Sequence, residues 1–117
     1  MKQTRSEILQ GTLDLMVLQT LDAMGPLHGY GIARRIEQLS ENAVVVNQGT
    51  IYLCLIRLVQ RKWIKAKWGT SENNRKAKFY TITKAGKKQL KAETEDWQRV
   101  SGVIGRLLDL TAGGKTS

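Results

Sequence analysis

From about Ser6 to Met24 apolar residues recur at three- and four-residue steps. Leu9, Leu13, Met16, Leu21 and Met24 form the stripe, and Leu15, Val17 and Leu18 widen it. That spacing predicts a helix, and one so apolar is expected to be buried on two sides. Gly25-Pro26 ends it. A second, shorter helix is predicted from about His28 to Leu39, with Ile32, Ile36 and Leu39 facing in and Arg34, Arg35, Glu37 and Gln38 facing out. His28 is expected to hydrogen-bond at its start. Gly29 and Gly31 are poor helix formers, so they point to close approach of another backbone there.

Ser40 to Val46 reads as a loop ending in a short β segment, Val44-Val45-Val46. Asn47 is a suitable N-cap for a third helix that runs to about Lys62. On a helical wheel Ile51, Cys54, Leu55 and Leu58 fall on one side. Gly49, Thr50, Leu53, Ile56, Arg57 and Gln60 fall on the other, with Tyr52 at the edge. Trp63 to Trp68 alternates as a strand, with Lys65 and Lys67 opposite Ile64, Ala66 and Trp68. Gly69 to Arg75 is a polar turn, Lys76 to Thr83 is a second strand, and Thr83 caps a long helix from Lys84 to about Leu110.

The pattern therefore predicts a mainly α fold with a small β-hairpin. Three helices followed by a hairpin is the order of a winged helix-turn-helix, in which the third helix enters the major groove and the hairpin lies along a neighbouring phosphate strand or minor groove. Residues 1–83 form the winged unit, 84–110 a terminal dimerisation helix and 111–117 a frayed tail, all within one compact domain. In the terminal helix Leu90, Trp97 and Ile104 recur every seven residues, with Thr94, Ser101 and Leu108 as the alternate seam and Val100, Val103, Leu107 and Leu110 beside them. Such a helix has only the first helix to cover it within its own chain. A homodimer buries both apolar faces, with Leu90, Trp97, Ile104 and Leu108 expected at the interface.

Charge adds a partner to this outline. Residues 1–60 carry five basic and five acidic side chains, whereas 61–92 carry eleven basic residues against a single acid, Glu72. A field this concentrated, interleaved with Trp63, Ile64, Trp68, Phe79, Tyr80 and Ile82, suits a folded surface for a phosphate backbone. Catalytic chemistry is not visible. His28 is the only histidine and Cys54 the only cysteine, so neither a zinc ligand set nor a nucleophile–base pair can be assembled, and no cofactor is implied. Gly29-Tyr30-Gly31 lacks the strand and third glycine of a dinucleotide fingerprint. Cys54, on the inward face, reads as a buried structural thiol, and a single cysteine fits a reducing cytoplasm. Apolar runs are too short for a membrane span.

Five segments carry a resemblance: Gly11-Thr12-Leu13; Gly25-Pro26-Leu27-His28-Gly29-Tyr30-Gly31-Ile32; Val46-Asn47-Gln48-Gly49-Thr50-Ile51-Tyr52; Trp68-Gly69-Thr70-Ser71-Glu72-Asn73-Asn74-Arg75; and Phe79-Tyr80-Thr81-Ile82-Thr83-Lys84-Ala85-Gly86. In this order and spacing the chain resembles the PadR family of bacterial transcriptional regulators, from about Leu9 to Leu108, in its short form with one terminal helix. The resemblance implies a homodimeric winged-helix repressor that releases a palindromic DNA operator when a small molecule binds. Two positions depart from the family pattern. Leu53 stands where a proline usually follows the tyrosine, and Ile56 where a histidine is frequent before the arginine. Both make the outward face of the third helix more apolar, which suits contacts to thymine methyls; an altered helix start or a weakened operator preference are the alternatives.

The expected DNA-binding residues are Gln48, Thr50, Tyr52 and Arg57 on the third helix and Lys65, Lys67, Arg75, Lys76 and Lys78 on the hairpin, with Arg75 at the tip as a minor-groove probe. The resemblance further implies an effector slot for planar aromatic compounds at Trp97, flanked by Asp14, Leu15, Leu18 and Val100. The other reading of Trp97 is an interface anchor. Two further function classes fit the charge alone: an RNA- or ribosome-associated basic protein, and a DNA-binding regulator without ligand control. The terminal helix and the third-helix sequence favour duplex DNA, because an RNA reader more often displays stacking aromatics on an open sheet.

Overall fold

In the computed structural model the backbone is described for residues 2–116 and side chains for residues 11–111. Helix α1 spans Lys2–Met24, strand β1 Leu27–His28, helix α2 Gly29–Leu39 and helix α3 Gln48–Gln60. Strands β2 (Ile64–Thr70) and β3 (Lys76–Ile82) form the hairpin, and α4 (Lys84–Thr116) follows. The order is that of a winged helix-turn-helix, with the sheet antiparallel throughout and ordered β1-β3-β2. β1 was not legible in the sequence: two residues long, it exists only because Leu27 and His28 pair with Tyr80 and Phe79.

The core lies where α1, α2, α3 and the base of the sheet meet. Leu13, Val17, Leu18 and Leu21 of α1 are buried against Ile32, Ala33 and Ile36 of α2 and Ile51, Cys54, Leu55 and Leu58 of α3, with Ile64, Tyr80 and Ile82 closing the sheet side. The inward face expected for α3 is thus the one buried. Met24 and Leu39, expected inside, are exposed, because each ends its helix beyond the reach of the core. Leu9 falls outside the described side chains, as do residues 112–117, where most of the expected frayed tail lies. The helical backbone of α4 itself continues past Leu110 to Thr116.

Local hydrogen bonds fix the elements. His28 Nδ1 accepts from the Gly31 N–H at 3.0 Å and caps α2. Gly29 and Gly31 abut side chains, not another backbone: a Cβ at Gly29 would touch Leu55, and one at Gly31 would touch the His28 ring. Asn47 Oδ1 accepts from the Gly49 and Thr50 N–H groups at 2.7 and 3.2 Å and caps α3. Val44–Val46 does not form the expected β segment. The backbone donors there are taken by side chains of α2 and its cap, the Val44 N–H going to Ser40 Oγ and the Val46 N–H to Glu37 Oε2.

The base of the hairpin and the start of α4 are tied together. The Thr83 N–H donates to the Trp63 carbonyl at 2.9 Å, and Thr83 Oγ1 donates to the Lys62 carbonyl while accepting from the Gly86 N–H. Thr83 is therefore the N-cap expected for α4. Gly86 passes so close that an added Cβ would overlap the Trp63 carbonyl oxygen.

Gly86→Ala tests this joint. In an open helical site alanine gains about 1 kcal/mol over glycine. Here the clash with backbone reverses the sign, and a net loss of about 1–3 kcal/mol is expected as a lower melting temperature; a higher one would show that the joint can open without penalty.

A second test concerns Cys54, fully enclosed among the core residues. Burial first, and then its hydrogen bond to Asp14, push its thiol far above the ordinary value of 9.0. The folded chain keeps a proton that the unfolded chain releases, so stability is unaffected at neutral pH and falls as pH rises past about 9. The slope is at most about 1.4 kcal/mol per pH unit. Denaturant unfolding of Cys54→Ala between pH 8 and 10 is expected to lack that part of the wild-type slope, and an identical slope in both proteins would refute the assignment.

Candidate nucleic-acid interface

The sequence expectation placed a polar reading face on α3 beside a basic hairpin. Successive helical residues turn by about 100°, so Gly49, Leu53, Ile56 and Gln60 form the strip diametrically opposite the core, and all four are exposed. Leu53, at 64% exposure, and Ile56 make the centre of this strip apolar. Gln48 and Tyr52 lie on the side toward the hairpin. Thr50 and Arg57 lie on the other flank, toward α1.

β2 and β3 pair from Ile64↔Ile82 to Thr70↔Lys76, and the loop Ser71–Arg75 closes them. Within the loop the Ser71 N–H donates to the Arg75 carbonyl at 2.8 Å, and Asn74 adopts a left-handed φ of 59°. Alternation along the strands divides the lysines between two faces. Lys76 and Lys78 share the face of Ile64, Ala66, Trp68, Tyr80 and Ile82, whereas Lys65 and Lys67 share the other with Phe79 and Thr81.

The first face, with the tip, encloses an open groove of about 800 Å³ against α3. Gln48 and Tyr52 line its helix wall, Trp68, Lys76, Lys78 and Arg75 its hairpin wall, and His28 and Tyr30 its end. Trp68, expected to share the apolar face, is 59% exposed because that face runs past the core. Its ring instead carries the Lys78 ammonium 5.5 Å from the centroid. Of the nine expected contact residues, five line this one groove: Gln48, Tyr52, Arg75, Lys76 and Lys78. Lys65 and Lys67 are exposed on the outer face, and Thr50 at the start of α3.

Arg57 is the exception. Its Nη2 lies 2.5 Å from Asp14 Oδ1 of α1, and its side chain is only 22% exposed. The expectation that it points outward is corrected by that ion pair, which draws the guanidinium back across the flank of α3. Cys54 Sγ donates to the same carboxylate oxygen at 3.1 Å. The hydrogen bond to Asp14 raises the Arg57 pKa further above its already high range.

The same pair alters the expected effector slot. Asp14 is 8% exposed and committed to α3, and Leu18 is fully enclosed in the core. Leu15 packs partly against the core. Trp97, at 56% exposure, and Val100 stand open on α4. None of these five residues lines the groove between α3 and the hairpin.

On α4 the break between covered and uncovered surface is sharp. Leu90 is buried in the chain's own core, which corrects its placement at the dimer interface. Trp97, Ile104 and Leu108 continue nearly the same line along the helix but are exposed, as are Val100, Val103, Leu107 and Leu110. The α1–α4 contact includes Lys87 and Asp22, 3.9 Å apart; the domain ends between Leu90 and Trp97, and the apolar stripe does not. No described helix is long and apolar enough to cross a membrane.

Comparison with known proteins agrees with this architecture. Residues 17–92 match the family model described as the transcriptional regulator PadR-like family. An uncharacterized protein from Lysinibacillus sphaericus is 30% identical over 100 residues, covering 86% of this chain and 91% of that one. A transcriptional regulator from Clostridium thermocellum superposes with a TM-score of 0.77 at 29% identity, over 86% of this chain and 94% of its own. A PadR-like transcriptional regulator from Bacillus cereus gives 0.74 at 27% identity, over 87% and 96%. The match over residues 17–92, on this fold, places the chain in the PadR-like family of transcriptional regulators, which implies DNA as its partner.

Proposed function

We propose that two copies of this chain pair through α4 and bind a two-fold symmetric DNA operator as a repressor in the bacterial cytoplasm, releasing it when a planar aromatic effector binds. The groove between α3 and the hairpin carries the reading: it brings Gln48 and Tyr52 together with Arg75, Lys76 and Lys78 on one open surface. The N-terminal half of α3 enters the major groove, where Gln48, Thr50 and Tyr52 reach bases or phosphates and exposed Leu53 meets a thymine methyl, with Ile56 extending that apolar strip at the groove's edge. Arg75 probes the minor groove, and Lys76 and Lys78 hold the intervening phosphates. Lys65 and Lys67 reach phosphates from the outer face of the wing.

The exposed stripe on α4 supports the pairing, since seven-residue spacing of Trp97 and Ile104 is the geometry by which two helices interlock. In the dimer Ile104 and Leu108 become interface residues, and Trp97 and Val100 of both copies, with Leu15 at the edge, form the slot for a flat ligand. Asp14 and Leu18 take no direct part, being occupied inside the chain.

Binding isotherms across a range of KCl concentrations test the wing. Each lysine that contacts a phosphate contributes about 0.9 to the slope of log affinity against log salt. Replacing Lys76 and Lys78 by alanine is expected to lower the slope by nearly 2, and replacing Lys65 and Lys67 tests the outer face separately. A pair whose loss changes neither slope nor affinity does not touch DNA.

Trp97 can report on both pairing and control once Trp63 and Trp68 are replaced by Phe, since the chain has three tryptophans. Its emission is expected to shift to the red on dilution, as the dimer dissociates and the indole meets water. A planar cationic dye is expected to quench it saturably and weaken operator binding in parallel. Emission independent of concentration would refute the pairing, and no response across a varied dye panel would leave Trp97 as packing alone.

A further inference from the structure

We infer that Arg57 is a positioning residue and not a DNA contact: Asp14 of α1 grips Arg57 and Cys54 together and thereby sets how the recognition helix, α3, is seated. The inference rests on the reading of α3 as the DNA-facing helix. Three observations carry it. First, Asp14 Oδ1 receives both the Arg57 guanidinium at 2.5 Å and the Cys54 thiol at 3.1 Å. Cys54 and Arg57 are three residues apart on α3, so one carboxylate oxygen ties two neighbouring positions on the same flank of the helix and resists its rotation and sliding. Second, the cluster is nearly dry, with the Asp14 and Arg57 side chains 12% and 22% exposed. A guanidinium leaving it for DNA would strand a buried carboxylate without its counter-charge. Third, Arg57 sits in the last turn of α3, whereas base contacts come chiefly from the N-terminal end of a recognition helix.

The two partners of Arg57 divide the work. Cys54, held protonated by its burial, stays a hydrogen-bond donor throughout the neutral range. Arg57 supplies the counter-charge that faces Asp14 in this nearly dry site. α1 also meets α4 through Asp22 and Lys87, so the seating of α3 is referred to the helix that stands between it and α4.

The test uses a duplex selected from a randomised pool by the wild-type protein. Failure of the wild type to enrich any duplex would count against DNA reading itself, separately from the role of Arg57. With the selected duplex, Arg57→Ala and Asp14→Asn are compared with wild type at a temperature where circular dichroism shows all of them folded. Each variant is expected to bind roughly tenfold more weakly, with the salt slope unchanged and the loss shared among all base positions. The double variant is expected to be no weaker than the weaker single one, because both remove the same link. Arg57→Lys, which keeps a charge within reach of Asp14, is expected to recover much of the affinity. A fall in salt slope of about 0.9 for Arg57→Ala would make Arg57 a phosphate contact, and relaxed preference at one base position would make it a base reader; either result overturns the inference. A rise in slope for Asp14→Asn would likewise overturn it, by showing that Asp14 masks a DNA-binding arginine. So would full affinity in the folded single variants, since a link that matters only for stability leaves the binding of folded protein untouched.

Discussion

The close approach of Gly86 to the Trp63 carbonyl fixes how the wing and α4 meet. The wing begins and ends at this point, and α4 starts from it. Thr83 donates its N–H to Trp63, its hydroxyl to Lys62, and accepts from Gly86. The exit of α3, the base of the hairpin and the first turn of α4 therefore form one rigid corner. The tilt of the wing and the direction of α4 cannot vary independently, because no side chain at position 86 could be fitted between them. Where α4 points decides where a second copy could stand, and thus how far apart two recognition helices would lie.

Much of this was legible in the sequence, and the reasons differ by element. The inward face of α3 could be read because four apolar residues at helical spacing admit one burial. Caps at Asn47 and Thr83 could be read because short polar side chains before a helix have few other uses. β1 could not, because a two-residue strand carries no period and depends wholly on Tyr80 and Phe79 of a distant strand. Val44–Val46 misled because β propensity says nothing of where the backbone donors go, and here Ser40 and Glu37 take them.

The candidate site was legible in type but less so in direction. The charge map located the hairpin, and simple alternation assigned Lys65 and Lys67 to one face. Which face meets α3 depends on how the hairpin folds back over the core, and the structure gives that place to Lys76, Lys78 and Trp68. Arg57 illustrates the same limit. On a wheel it belongs to the outward half of α3, but a wheel cannot show that Asp14, 43 residues earlier, waits beside it. Leu90 and Trp97 share a line on α4 and differ in fate only because the domain stops between them.

The sheet order β1-β3-β2 leaves β2 at a free edge, with β1 covering only two residues of the other side. Alternate residues of β2 thus point backbone groups away from β3 with no strand to receive them, a template on which a strand from another chain could add. Lys65 and Lys67 stand on that edge strand, and strand addition would crowd their charges against those of the incoming copy. Charged side chains on an edge strand disfavour such addition. Neutralising both lysines is therefore expected to lower solubility, and more so as protein concentration rises.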